Sequence, residues 1–269
     1  MDKSVTKFNV RLRTITIRNL IVGIIIAFIV SGILTAIFPA IYESDELYFI
    51  VFLLIGGLMF AWIFKDTYGL DRNIEMVFED KYKKEIIYVF AINLLFAFLF
   101  TFFISSLDIL IGLNDPNWIS IWEVDTVNID SSVVILDAIG AIIFAPIIEE
   151  LVFRGIIFNR LKIRTGIIPA MIISSFIFAI GHEFGGMTSA FLFGICMCML
   201  YLKTDNILIA MSVHFINNVV ATILNISGLD VIMSQLPWLV PCLIISIIGT
   251  VYLLKYIIQE YKLIKKQYN

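Results

Sequence analysis

Two adjacent glutamates, Glu149 and Glu150, lie in an otherwise apolar stretch of the sequence and are followed by Arg154. A charged side chain at the centre of a membrane helix costs roughly 2.5–3.5 kcal/mol on insertion scales, so a residue of this kind is a functional-site candidate by default. Glu150 and Arg154 are four residues apart, which lets them form an ion pair on one helix face. Glu149 points about 100° away from that pair. Its carboxylate is therefore a candidate general base for the activation of water.

Both histidines of the chain fall in apolar segments. His182 follows Phe178 by four residues, and His214 precedes Asn218 by four, so each pair shares one helix face. A carboxylate and an imidazole can activate water, while a second imidazole and an amide can donate to the oxyanion that forms on a carbonyl. The same set could instead bind zinc, because histidine and glutamate are ordinary zinc ligands. The residues alone leave both chemistries open.

Three motifs carry a resemblance to a known family: Glu-Glu-x-x-x-Arg at 149–154, Phe-x-x-x-His at 178–182 and His-x-x-x-Asn at 214–218. Together and in this order, on separate predicted membrane helices, they resemble the CPBP family, the CAAX-processing and bacteriocin-processing intramembrane proteases also called Abi. The resemblance covers roughly residues 135–225. It implies hydrolysis of a peptide bond inside or at the edge of the membrane.

The resemblance also implies roles for the motif residues. Glu149 would be the base, with His182 helping to activate water. His214 and Asn218 would form the oxyanion hole. A metal-free glutamate mechanism needs no cofactor. A zinc enzyme of this family would instead use Glu149, His182 and His214 as ligands. The remaining motif residues, which would support the site, are Glu150, Arg154 and Phe178.

The composition predicts an integral membrane protein. The 269 residues are 60% hydrophobic and only 15% charged, whereas soluble domains carry about 25% charged residues. Apolar segments of the length that a membrane helix needs predict an all-α polytopic bundle of about eight transmembrane helices. The predicted spans are 19–41, 47–64, 86–107, 133–158, 167–184, 188–202, 206–225 and 238–258.

The charges are segregated along the chain. All 19 lysines and arginines fall on one side of the eight-helix arrangement, and the positive-inside rule then places both termini in the cytoplasm. The cytoplasmic loop at about 65–85 mixes charged and apolar residues. It fits either an interfacial amphipathic helix or a plain solvated connector.

We expect three segments: N-terminal helices at 1–130, the catalytic core at 131–226 and a C-terminal helix with a cytoplasmic tail at 227–269. The predicted spans place His182 about 10 Å nearer the outer face than Glu149, at 1.5 Å rise per residue. An offset of this size would prevent the two side chains from sharing a water molecule. Asp137 is expected to lie at a solvated helix end, and Asn217 to form a hydrogen bond between helices.

The sequence therefore predicts an intramembrane endopeptidase that acts on a membrane-associated or exported peptide. The alternative is a catalytically inactive membrane scaffold or bacteriocin-immunity protein that uses the polar pocket for binding. Nucleic-acid binding is not expected, because the basic residues are spread over many loops. The expected surroundings are the lipid bilayer of a bacterial plasma membrane, and a small peptide is favoured over a prenylated substrate.

Overall fold

The computed structural model describes residues 4–115, 131–182 and 186–268. Throughout these ranges the chain is almost entirely helical and contains no strand, only one isolated bridge between Lys7 and Tyr68. The helices form a polytopic membrane bundle, as predicted. The α-helices are α1 (Phe8–Thr14), α2 (Ile17–Ile37), α3 (Pro39–Tyr42), α4 (Asp45–Phe64), α5 (Leu70–Val77), α6 (Asp80–Asn114), α7 (Ser131–Ile139), α8 (Ala145–Glu150), α9 (Asn159–Thr165), α10 (Ile167–Ile180), α11 (Met187–Thr204), α12 (Ile207–Ser227), α13 (Leu229–Met233) and α14 (Leu239–Tyr268).

Six helices in the described part of the chain are long and apolar enough to cross a membrane: α2, α4, α6, α11, α12 and α14. They correspond to six of the predicted spans. The predicted span at 133–158 lies in a continuous helical run, in which π-helical segments π1 (Gly140–Phe144) and π2 (Leu151–Phe158) join α7, α8 and α9. The predicted span at 167–184 is the 14-residue apolar helix α10.

Helix α11 lies at the centre of the bundle. Five consecutive residues, from Cys196 to Leu200, are at most 1% exposed, and five residues cover more than one helical turn. A helix that is apolar and buried on all sides has other helices around its whole circumference. By contrast, Phe28 of α2 and Leu58 of α4 are 55% and 62% exposed, as expected for side chains that face lipid.

One end of the bundle brings together the loops that the charge pattern assigns to the cytoplasm. Lys203 at the end of α11 forms ion pairs with Glu85 of α6, at 2.6 Å, and with Glu260 of α14, at 2.8 Å. Asn206, before α12, donates to the backbone carbonyl of Asn73 in α5 at 2.7 Å. Segments far apart in sequence are therefore joined at the end that carries the basic residues.

The loop at 65–85 contains the amphipathic helix α5. Met76 and Val77 pack against the core of the bundle, whereas Leu70, Ile74 and Phe78 are exposed. Exposed apolar side chains beside a charged face are typical of a helix that lies in the membrane interface. Of the two alternatives for this loop, the structure favours the interfacial helix.

The N-terminal helix α1 packs against the helical run that carries the glutamates. Leu12 is fully buried, and a Cβ added to Gly155 would lie 2.7 Å from its Cδ1. Arg160 donates from Nε to the carbonyl of Ile15 at 2.6 Å and from Nη2 to the carbonyl of Arg13. These donors satisfy carbonyls at the C-terminal end of α1, which would otherwise lack partners.

The expected division at residues 130 and 226 stays a prediction. Helices from its two outer segments, α6 and α14, pack closely against each other. A Cβ added to Gly249 of α14 would lie 2.3 Å from the Cβ of Leu95 in α6. Such an approach is possible only because glycine has no side chain, as in other tightly packed membrane helices.

The contact between α10 and α11 predicts the effect of a substitution at Gly194. A Cβ added there would lie 2.8 Å from the Cβ of Ser175 and 3.1 Å from its Cα, atoms that cannot move without the backbone. Because overpacking of a well-packed core costs about 1–3 kcal/mol, Gly194→Ala should lower the free energy of unfolding by that amount. Thermal unfolding of the detergent-solubilised protein measures it.

The matched control is Gly32→Ala in α2, where an added Cβ meets nothing within 4 Å. This variant should unfold at the wild-type temperature or slightly above it, because alanine is the better helix former. Equal unfolding temperatures for the two variants would show that the α10–α11 contact is looser than described.

Candidate active site

Pro146 lies one turn before the two glutamates and follows π1. In a π-helix the carbonyl of Ala141 would accept from residue 146, five positions later, but proline has no N–H to donate. The Nδ2 of Asn218 in α12 donates to this carbonyl at 2.8 Å. The amide of a motif residue therefore satisfies the backbone group that the proline leaves free, and this contact fixes α12 against the glutamate-bearing helix.

Glu150 connects two of the three motifs. It is fully buried, and its Oε1 accepts from Nη1 of Arg154 at 2.9 Å and from Nδ1 of His214 at 3.0 Å. The ion pair inferred from the four-residue spacing is therefore present. Because the carboxylate also accepts from a histidine on another helix, Glu150 determines which nitrogen of that histidine carries a proton.

Arg154 is also completely buried. Its guanidinium carbon lies 4.5 Å from the centroid of the Phe178 ring, within the range of a cation–π contact. Phe178, expected to support the site, therefore contacts the buried cation. The atoms Arg154 Nε, Arg154 Nη2 and Glu150 Oε2 are buried with no hydrogen-bond partner in the described part of the chain. The pair is thus packed against an aromatic ring rather than fully hydrogen-bonded.

His182 lies two residues after the C-terminal end of α10, and its side chain is hydrogen-bonded to that helix. Its Nδ1 donates to the carbonyl of Phe178 at 3.0 Å, since a carbonyl can only accept. The two rings are also in contact, with centroids 4.6 Å apart. With Nδ1 occupied, Nε2 of a neutral His182 carries a lone pair that can accept a proton from water.

His182 is not displaced toward the outer face relative to His214, because both rings pack on Phe178, with the His214 centroid 6.0 Å from it. The helical run and α10 form a hairpin at Gly166, whose φ is +83°. Glu149 lies 17 residues before this turn and His182 16 residues after it. Equal distances along antiparallel helices give equal depth. The predicted offset of about 10 Å is therefore absent. It was calculated from span ends estimated from hydropathy, and these ends differ from the turn at Gly166 that the structure shows.

His214 lies between the two glutamates. Its Nδ1 donates to Glu150, and its Nε2 lies 3.8 Å from Oε2 of Glu149. The latter distance exceeds hydrogen-bond length, but catalytic contacts of this kind often tighten only when substrate is bound. Glu149 is partly exposed, with 28% of its side chain accessible, whereas Glu150 has none accessible. Of the two glutamates, only Glu149 can therefore reach a water molecule.

A cavity of about 160 Å³ lies between the residues of the second and third motifs. This is large enough for several water molecules, since about 10–15 Å³ by this measure holds one. His182, His214 and Asn218 all line it, beside Phe178 and Phe193. Four predicted site residues on two separate segments therefore face one space, whereas Glu149 is not among the lining residues. The other lining residues are Asn93, Ala97, Gly186, Ser189, Ala190 and Asn217.

Side chains that the sequence analysis missed satisfy the carbonyls of π2. Ser174 of α10 donates to the carbonyl of Phe153 at 3.0 Å. Asn159 donates to the carbonyls of Arg154 and Gly155 at 3.1 and 2.9 Å. These carbonyls need outside donors because π geometry shifts the backbone hydrogen bonds by one residue. The sequence carries no signal of this shift beyond the polar residues themselves.

Two further expectations concern residues near the site. Asn217 lines the cavity, and its Nδ2 donates to the neighbouring Asn218 Oδ1 at 3.4 Å. The expected interhelical hydrogen bond is thus replaced by a contact within α12 that orients Asn218. Asp137 is exposed in α7, as expected for a solvated helix end.

The residues offered as zinc ligands do not form a metal site in this conformation. Among the residues that the structure describes, no group of three or more His, Cys, Asp or Glu side chains is arranged to hold a metal ion. The Nδ1 atoms of His182 and His214 are each used in a hydrogen bond within the protein. A zinc-bound histidine usually donates its other ring N–H to a carboxylate or a carbonyl, so these bonds leave Nε2 of each histidine free as a ligand. Zinc chemistry therefore stays the alternative to a metal-free mechanism.

Residues 131–220 match the family model described as type II CAAX prenyl endopeptidase Rce1-like. This range contains all seven predicted site residues, so the resemblance that the three motifs indicate is confirmed over this third of the chain. No curated protein and no solved structure matches the chain. The matched family is a peptidase family, and the protein that carries the match is a helical membrane bundle.

The buried ion pair predicts how two variants will differ. Arg154→Met leaves Glu150 buried without its cation, and removal of one partner of a buried pair costs about 3–5 kcal/mol. The double variant Glu150→Gln with Arg154→Met carries no uncompensated charge and should recover most of this loss. Thermal unfolding of both variants measures the difference. If the double variant is as unstable as the single one, the pair does not stabilise the fold through its charges.

Proposed function

We propose that this protein, which carries a CAAX-protease-like domain in its membrane bundle, is an active intramembrane endopeptidase that hydrolyses a peptide bond of a membrane-associated or exported peptide. The observation that carries the proposal is the arrangement around one cavity. Two histidines and the Asn218 amide line this cavity, and the partly exposed carboxylate of Glu149 lies 3.8 Å from Nε2 of His214.

In the proposed reaction Glu149 is the general base. Its carboxylate accepts a proton from water while the water oxygen forms a bond to the peptide carbonyl carbon. The free Nε2 of His182 accepts the second hydrogen bond of the same water and orients it. When the carbon–nitrogen bond breaks, Glu149 gives its proton to the leaving nitrogen. The products are a carboxylic acid, which keeps the second proton of the water, and an amine; proton transfer between them gives a carboxylate and an ammonium, and the enzyme returns to its starting state.

Asn218 and His214 are the proposed oxyanion donors. One N–H of the Asn218 amide is used on Ala141, and the other is free to donate because an amide nitrogen carries two hydrogens. His214 donates from Nδ1 to Glu150, so it can donate from Nε2 as well only as the imidazolium. Donors fixed in this way before the charge develops lower the barrier most effectively.

The substrate class follows from the position of the cavity. It lies within the membrane bundle, so the scissile bond must reach membrane depth, as an extended segment of a membrane-bound or exported peptide can. The matched family model names prenyl endopeptidases. A comparison of a prenylated with an unmodified peptide therefore belongs in any test, and we expect the unmodified peptide to be cleaved.

The alternative is an inactive scaffold or immunity protein that uses the cavity only to bind. The two differ in their dependence on Glu149. Binding through shape and hydrogen bonds tolerates the isosteric Glu149→Gln, whereas general-base catalysis does not, because an amide cannot accept the proton of water at neutral pH.

Glu149→Gln should abolish cleavage while the protein accumulates at its wild-type level. His182→Ala and His214→Ala should each do so as well, since general acid–base groups and oxyanion donors contribute about 10²–10⁴-fold each. The measurement compares peptide termini in membranes and medium of cells that carry wild type or variant at equal abundance. Termini that require Glu149 would support the proposal and identify substrates.

Asp137→Asn is the matched control for the loss of one carboxylate, because Asp137 is exposed and does not line the cavity. It should give the wild-type set of termini. Identical termini for wild type and Glu149→Gln, with the cellular phenotype retained, would contradict the proposal and favour the scaffold. Full activity in one histidine variant would remove that residue alone from the mechanism.

The metal-free mechanism makes a separate prediction. An excess of a strong chelator should leave the cleavage rate of the purified protein unchanged, because no step above uses a metal. The rate should be followed on the same peptide before and after dialysis, with a known zinc peptidase as a positive control for chelation. Loss of activity that added zinc restores would overturn this mechanism and favour the zinc chemistry that the sequence left open.

A further inference from the structure

Asn93 of α6 lines the same cavity as His182, His214 and Asn218, although it lies outside the segment that matches the family model. The side chain is 3% exposed. Its Nδ2 donates to the carbonyl of Val89 on the same helix at 2.8 Å. Its Oδ1 is buried and has no hydrogen-bond partner in the described part of the chain.

A buried acceptor without a partner is unfavourable by about 1–3 kcal/mol, so such a group calls for an explanation. A side-chain hydrogen bond links the Asn93 amide to the Cys196 thiol of α11. It does not satisfy the Oδ1, which has no partner in the described part of the chain. An apolar residue of the same size would fill this position at lower cost, which points to a partner that is present only during function.

The surroundings of Asn93 suit an extended peptide. Ala97 lies one turn further along the same face of α6, and Ala190 of α11 lines the cavity beside it. These small side chains leave room for a backbone in the cavity that Asn93 lines. Because the Oδ1 itself is buried, the amide must turn toward the cavity to accept from the peptide. A backbone N–H is the one donor that every peptide substrate carries, and a cavity with histidines and amides offers few other acceptors for it.

We propose that Asn93 is a substrate-binding residue whose Oδ1 accepts a hydrogen bond from one backbone N–H of the bound peptide. This inference rests on the proposed peptidase function and extends its site to a helix outside the three motifs. The contact fixes the register of the peptide relative to Glu149. It therefore determines which bond is cut and how tightly the peptide binds.

The test uses a synthetic peptide that spans a Glu149-dependent cleavage site, together with analogues in which one backbone amide at a time is replaced by an ester. An ester has no N–H. Wild type should lose about 3- to 10-fold in kcat/KM, mainly through KM, at one ester position, the range expected for one neutral hydrogen bond. Asn93→Leu should show the same loss with the all-amide peptide and no further loss at that position.

The unfolding temperature separates binding from structure. Asn93→Leu removes both the donor and the acceptor, so it should unfold at the wild-type temperature or above it. Cys196→Ala is the matched control for the neighbouring thiol and should keep the wild-type ester profile. A large drop in stability for Asn93→Leu, or the same effect in Cys196→Ala, would show that Asn93 serves the fold and overturn the inference.

The remaining outcomes are also decisive. A wild-type kcat/KM in Asn93→Leu would contradict the role of Asn93 but not the proposed peptidase function. Equal losses in wild type and in Asn93→Leu at every ester position would do the same. Failure of wild type to produce any Glu149-dependent termini would contradict the proposed function itself, and this inference with it.

Discussion

The hydrogen-bonded position of the Glu150 carboxylate is the interaction on which the rest of the site depends. It accepts from Arg154, one turn away on its own helix, and from His214, on a helix that arrives 64 residues later. In a membrane interior, three groups of this kind are tolerated only together, because each alone would be a buried charge or an unpaired donor. Their mutual contact therefore sets the position of α12 against the helix that carries the glutamates. It also fixes the protonated nitrogen of His214 and turns its Nε2 toward Glu149.

The π-helical segments on both sides of the two glutamates depend on the same surrounding helices. In lipid every backbone polar group needs a partner within the protein, and a π-helix next to proline leaves some carbonyls free. Asn218 supplies the donor for π1, and Ser174 and Asn159 supply the donors for π2. One side of this run is exposed, at Ile143 and Ile147, and the donors come from the side that packs against the bundle. The glutamates thus lie on a segment that is held in place from α10 and α12, and Asn218 serves both the backbone and the cavity.

The sequence predicted the helical membrane class and the family resemblance, because the first depends on composition and the second on local spacing. The Glu150–Arg154 pair follows from a four-residue separation, whereas the contact of Glu150 with His214 depends on how two helices pack, and spacing carries no such information. The depth of His182 was misjudged because span ends were estimated from hydropathy, whereas the hairpin at Gly166 sets the height of α10. That Asn93 lines the cavity was likewise not predictable, since a single amide in an apolar helix does not reveal which neighbouring helix it faces.

Charge conservation links the geometry to the proposed chemistry. The site contains two carboxylates, one guanidinium and the His214 ring. In the proposed step Glu149 would take the proton of water and lose its negative charge, while an equal charge would form on the peptide oxygen beside His214 and Asn218. The net charge of the buried cluster would therefore stay the same, and only its position would shift. In a low-dielectric interior a shift of charge between prearranged groups is far less costly than the creation of charge. The proposed chemistry thus gives the two carboxylates different tasks, since Glu150 is fully buried with its hydrogen-bond partners whereas Glu149 is partly exposed.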